Sequence, residues 1–242
     1  YFVEFKYIEN GIATTLGMQP IVLMDWVKAK PLKEYIKVNL SNSGVINKLA
    51  ENFLQMVRDL HKHNISHGDL QHGNILVRDD CSLVLVDYDS MYVPALEGWS
   101  DVIKGLAGYQ HPARWNNKNV SPKADYFSEK VIYLSLKSLE KFPDLWNDLQ
   151  MEDNDTLLFS EEDIESKGST PIFSILKNIS GLEALTENFI EDLRKDSIEH
   201  LQPLEDILIS PTETIFQNWK NYTPPVRQSY KKEDVKSITN KW

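Results

Sequence analysis

One cysteine, Cys81, in 242 residues excludes an intrachain disulfide and makes a thiolate metal site a poor expectation; the reducing cytosol is the natural compartment. No apolar run approaches the roughly eighteen residues of a membrane helix, and no basic-then-apolar signal stands at the start. A soluble, cytoplasmic protein without a membrane partner is expected. Basic tracts are also missing: 26 Lys and Arg against 36 Asp and Glu give a formal charge of -10. That balance argues against a broad footprint for nucleic acid. There is no internal repeat. What is present is a 41% hydrophobic content, which suits a globular core of one large or two small domains.

Residues 1–27 read as two β-rich runs forming a hairpin, "YFVEFKYI" and "PIVLMDWV", with Asn10-Gly11 as a turn signal. Because the chain opens at Tyr1, already in strand-like sequence, it is expected to be a piece of something longer. Pro31 suits the first turn of a helix over "PLKEYIKV". A stronger helix is predicted over 44–62, where Val45, Leu49, Phe53, Met56, Val57 and Leu60 share a face; that stripe reads as core. "NILV" and "SLVLVDY" look like a second hairpin. Residues 90–122 are polar and turn-rich, longer than a passive connector. Buried helix returns over 124–139, with further helices near 143–150, 171–180 and 182–200. The acidic "MEDNDTLLFSEEDIE" reads as a solvated loop or helix face. From Pro211 the pattern fades into a tail.

The chemistry concentrates in residues 65–94. Asp69 and Asn74 lie five apart on one loop, and Asp87 closes an apolar strand. Phosphoryl transfer needs a group to orient and deprotonate a hydroxyl, together with oxygen ligands for Mg²⁺ beside the phosphates. These three residues have that chemistry. A competing transition-metal site would use His61, His63, His67 and His72 with Asp69, but leaves Asn74 and Asp87 without tasks. The plain alternative for each histidine is a loop or cap residue.

"HGDLQHGNILV" followed by "LVDYD" resembles the catalytic and magnesium loops of the protein-kinase superfamily, H-R-D-L-x-x-x-N and D-F-G. "PIVLMDWVKAKPLKEYI" resembles the last small-lobe strand, the hinge and the first large-lobe helix. "DYFSEKVIYLSL" is similar to the central helix, and "GYQHPARW" sits where A-P-E ends the activation segment. Within the superfamily the spelling is similar to a bacterial kinase-like group with H-G-D-L-Q-H-G-N and D-Y-D motifs. The similarity spans about residues 1–140. It implies an α+β, protein-kinase-like fold: residues 1–27 as a small-lobe remnant with the hinge, 28–210 as the large lobe, and 211–242 as a tail or extension.

The resemblance also implies roles. Asp69 matches the catalytic base, Asn74 the loop's magnesium ligand, and Asp87 the ligand bridging phosphates. His67 matches a brace, and Asp125 the central-helix residue that holds the loop backbone. Met24 falls at the gatekeeper, the backbones of Asp25 and Val27 at the adenine-pairing hinge, and Leu76 at the floor under the base. ATP and Mg²⁺ are the implied cofactors, and a protein is the expected substrate.

Departures qualify that picture. Gly68 replaces the Arg that pairs with an activation-loop phosphate, so no phosphorylation switch is expected there. Gln71 replaces a phosphate-supporting Lys, with His72, if protonated, as a partial substitute. Asp89 replaces the Gly of D-F-G, Ala113 replaces the Glu of A-P-E, and Arg114 cannot fill that acidic role. The Gly-rich loop, the V-A-I-K strand and its Glu helix are absent; Lys6 reads as a surface residue. Two further readings stay open: a pseudokinase or nucleotide-binding scaffold, and a small-molecule kinase of the aminoglycoside or choline type, which also spells H-G-D.

Overall fold

The computed structural model describes residues 1–209; the tail predicted over 211–242 lies outside them. Strands β1 (Phe5–Thr14) and β2 (Gly17–Met24) form an antiparallel hairpin in which Phe5 faces Met24 and Thr14 faces Gly17. Asn10-Gly11 does not make the turn. The ladder shifts register between Ile8 and Ile12, and a Cβ on Gly11 would fall on the Ile21 side chain, so this glycine permits a close cross-strand approach at a bulge. The turn is set further on: Thr14 Oγ1 donates to the Gly17 carbonyl at 2.9 Å and accepts from Leu16 N–H at 3.1 Å, while Gly17 takes φ +97°.

A second sheet orders β3 (Lys30–Pro31), β4 (Ile75–Val77) and β5 (Leu83–Leu85), all antiparallel. Helix α1 (Leu32–Asn39) follows β3 directly, with Pro31 at its cap. Helix α2 (Ser43–Lys62) starts where Asn42 Oδ1 accepts Val45 N–H at 3.2 Å and ends with His61 and Lys62 near the negative pole of its dipole. Ile46, Leu49, Phe53, Met56, Val57 and Leu60 are buried along one face; Val45 is only partly so. They pack on α3 (Tyr126–Lys141), whose Phe127, Val131, Ile132, Leu134 and Leu136 are buried around its circumference. No helix among the described residues is long and apolar enough to cross a membrane.

The C-terminal half differs from expectation in two places. The acidic stretch contributes to the core: Met151, Leu157, Leu158 and Phe159 are buried before the short helix α5 (Glu161–Glu165), and its polar side chains, most of them acidic, face water. Phe159 stacks on Phe173 of α6 (Pro171–Lys177) at 5.6 Å and meets Phe189 of α7 (Glu183–Asp192) at 4.9 Å. The predicted long helix over 182–200 stops at Asp192, whose carbonyl takes Lys195 N–H at 2.9 Å in a tightened turn. Its carbonyl accepts His111 Nε2–H at 2.7 Å, and its carboxylate takes Lys130 and Lys195. Helices α4 (Leu145–Asp148) and α8 (Leu204–Ile209) complete the described chain.

His61 joins α2, α3 and α8. Its Nε2 meets Glu129 Oε1 at 2.8 Å and its Nδ1 meets Glu205 Oε1 at 2.6 Å. Burial disfavours the imidazolium, but hydrogen bonds and charge from both carboxylates outweigh it and hold the pKa up to about 10. Because the folded value lies above the ordinary 6.5, the stabilising contribution is complete below that pH and is lost as pH rises through about 10. Urea midpoints should therefore fall from pH 7 to pH 10, and His61→Gln should flatten that slope. An equally steep slope in the variant would remove the assignment.

Candidate active site

Residues 65–74 leave α2 as a loop whose backbone is fixed from below. Asp125, 1% exposed at the head of α3, accepts His67 N–H on Oδ2 and Gly68 N–H on Oδ1, the latter at 2.9 Å. His67 is fully buried; its Nε2–H donates to the Val86 carbonyl at 2.9 Å and its Nδ1 accepts Asp69 N–H at 3.3 Å. One imidazole thus ties the loop to the strand end that carries Asp87. Val86 N–H, paired with the Asn74 carbonyl at 3.0 Å, adds a second tie.

Two donors converge on Asp69. Asn74 Nδ2 gives one hydrogen bond to its carbonyl at 2.9 Å and one to Oδ2 at 3.0 Å, and Leu106 N–H gives one to Oδ1 at 3.0 Å. Both partners of the Asn74 amide nitrogen are acceptors, so the amide orientation is determined and Oδ1 is left as an oxygen ligand. Asp87 is exposed and adopts φ +66°, a left-handed conformation costly for a non-glycine residue and typical of functional positions. Asn74 Oδ1 and the Asp87 carboxylate are oxygen donors, the ligand type that a hard cation such as Mg²⁺ takes.

The loop offers no cation of its own. Gln71 folds back, its Oε1 accepting Gly73 N–H at 2.6 Å. His72 does not substitute: burial, assisted by nearby Lys33, lowers its pKa to about 4, and its Nδ1 accepts the Tyr109 hydroxyl at 2.7 Å, so it is neutral at physiological pH. The four histidines do not converge as a metal shell either. His63 meets the Asp59 carbonyl, His67 and His72 are engaged as described, and His61 spends both nitrogens on Glu129 and Glu205. Those three residues are the one cluster of three or more His, Cys, Asp or Glu side chains among the described residues close enough to share a metal ion, and their contacts make them an ion triad.

The segment after Asp87 reaches the loop repeatedly. Ser66 and Tyr92 exchange backbone hydrogen bonds at 3.1 and 2.9 Å. Arg114, 1% exposed, donates to the Gly68 carbonyl and pairs with Asp101. In the sequence Arg114 has no evident task, and neither Asp101 nor Gln110 stands out. A base standing where an acid is expected was the available signal, since it implies a partner of opposite charge elsewhere.

Of the four residues expected around a nucleotide base, Asp25 and Val27 line a cleft of roughly 500 Å³ with Val3, Trp26 and Arg78. Met24 and Leu76 are not among its lining residues; Met24 is exposed at the end of β2, and Leu76 pairs with Pro31 and Val84 in the second sheet. The structure therefore gathers Asp69, Asn74 and the strand end bearing Asp87 around one loop.

Comparison with known proteins gives the family. The protein kinase domain family matches residues 13–193, which extends the similarity beyond the expected limit near 140. The serine/threonine-protein kinase oca2 of Schizosaccharomyces pombe is 28% identical over 153 residues, covering 61% of this chain and 23% of that protein. The serine/threonine-protein kinase pakG of Dictyostelium discoideum is 23% identical over 129 residues, covering 52% of this chain and 11% of the relative. The chain thus spans less than a quarter of the length of either relative.

Proposed function

The chain belongs to the protein kinase domain family, and we propose that this protein transfers the γ-phosphoryl group of ATP to a hydroxyl of a protein substrate. The carrying observation is the fixed carboxylate of Asp69, held at Oδ1 by Leu106 N–H and at Oδ2 by Asn74. Phosphoryl transfer demands little covalent chemistry from a protein and much positioning. Asp69 would orient the acceptor hydroxyl and take its proton; Asn74 Oδ1 and Asp87 would hold Mg²⁺. Bound there, Mg²⁺ would supply neutralisation of charge on the phosphate oxygens. His67 would keep Asp69 and Asp87 in register through the Val86 carbonyl. A protein substrate is supported by the serine/threonine-protein kinases among the relatives and by the exposed Trp99, Val102 and Trp115 in the segment flanking Asp69.

A second reading, nucleotide binding without turnover, is favoured by one observation: Gln71 turns onto its own loop and His72 is neutral, so no loop cation faces the transferred group. Incubating the intact protein with labelled ATP and Mg²⁺, against denatured lysate and a panel of small alcohols, separates the possibilities. Label in protein supports transfer to protein; label in alcohols alone gives the substrate to the small-molecule class. Thermal stabilisation by ATP with Mg²⁺ but no label favours the second reading, and no stabilisation at millimolar ATP removes the nucleotide site.

A further inference from the structure

We propose that Arg114 is a positioning residue which, paired with Asp101, holds Asp69 and residues 101–110 in one working arrangement whether or not the segment is phosphorylated. The proposal rests on the kinase reading above for its catalytic consequence, and on geometry for the clamp itself.

Gly68 is the point of attachment. It takes φ +80°, and a Cβ there would fall on the Ser90 carbonyl, so no side chain can reach outward from this position. Only its backbone groups remain as handles. The N–H is held by Asp125, and the carbonyl receives Arg114 Nη1. That carbonyl belongs to the peptide unit joining Gly68 to Asp69, so the guanidinium fixes the plane from which the candidate base projects.

The other guanidinium donors all go to the segment. Nε and Nη2 reach Asp101 Oδ2 and Oδ1, each at 3.3 Å; Nη1 also reaches Gln110 Oε1 at 2.5 Å, and Nη2 the Ile103 carbonyl at 3.4 Å. Asp101 is 7% exposed and additionally takes Lys104 Nζ at 3.0 Å. Five residues beyond Asp101, Leu106 N–H meets Asp69 Oδ1. Arg114 therefore grips Asp69 twice, through its peptide and, by way of residues 101–106, through its carboxylate. A guanidinium is charged at every physiological pH and needs no modification to act. The segment's hydroxyls fit this picture: Ser90, Tyr92 and Tyr109 are buried and Tyr88 is half-buried, leaving Ser100 exposed.

The test compares intact parent with Arg114→Met, Arg114→Lys and Asp101→Asn. Arg114→Met is expected to lower kcat on the order of 10²-fold, as a misplaced base would, and to speed amide exchange across residues 101–110. The KM for ATP and protection in α2 and α3 should stay at parental values. Arg114→Lys should recover only part, because one ammonium cannot reproduce the fork. Phosphatase treatment of the parent should leave kcat unchanged. Unaltered exchange across 101–110, a KM for ATP or helix protection that moves with kcat, or activity lost on dephosphorylation would each overturn the clamp. If Arg114→Met does not fold, the near-isosteric Asp101→Asn carries the same readouts. If the parent transfers no phosphate, the kinase reading fails, while exchange across 101–110 still decides the clamp.

Discussion

Replacing Asp69 with Asn in the intact protein will lower kcat for phosphoryl transfer by about 10²- to 10⁴-fold, the range for loss of a positioned general base. The substitution is nearly isosteric, and its surroundings make the expectation specific. Oδ1 and Oδ2 both accept N–H donors, from Leu106 and Asn74, so the amide can keep only one of these bonds with its oxygen. Its NH₂ would then face another donor, and it has no basic oxygen to take a hydroxyl proton. ATP affinity should change little, because the proposed magnesium ligands, Asn74 and Asp87, remain. Steady-state kinetics with labelled ATP measure both quantities. A parental kcat in Asp69→Asn would remove Asp69 from the mechanism.

Truncating Asp192 will have the largest effect on stability. Lys130 and Asp192 are both 0% exposed and form a close ion pair, with Lys195 on the second carboxylate oxygen at 2.8 Å. Burial lowers the pKa of Lys130, and the charge of Asp192 opposes that shift. Asp192→Ala leaves the ammonium with Asn188 Oδ1 at 2.8 Å as its remaining described partner. Breaking a buried pair from one side costs about 3–5 kcal/mol, a fall in Tm on the order of 10 °C for a chain of this length. The double variant Lys130→Met/Asp192→Leu should recover most of the loss, since an apolar pair of similar volume avoids burying either charge. Lys195, partly exposed, can turn to water. Urea or thermal unfolding of the single and double variants checks both; a double variant as unstable as the single would show that the pair is not the cause.

Much of the fold could be read because its elements carry their own signals. The stripe of α2 is periodic and the apolar runs of β4 and β5 are continuous, and Asn74 and Asp87 stand out as polar residues close to the ends of those runs, with Asp69 five positions before Asn74. Asn10-Gly11 misled because the same dipeptide serves a turn or a bulge, and Ile21 across the ladder decides which. Phe159 was hidden by acidic neighbours that face away from it. The neutral state of His72 depends on burial and on Lys33, which lies 39 residues before it. The donor that meets Asp69 Oδ1 is a main-chain N–H, which has no signature in a residue string. Arg114 was visible as an oddity, but its use follows only when the chain brings Asp101 and Gly68 to it.

The bridge from His61 to Glu205 closes 144 residues of chain. Closing a loop about twice as long as the 68 residues to Glu129 adds only about 0.6 kcal/mol of closure entropy. One imidazole therefore couples the last described helix to α2 and α3 at little added entropic cost.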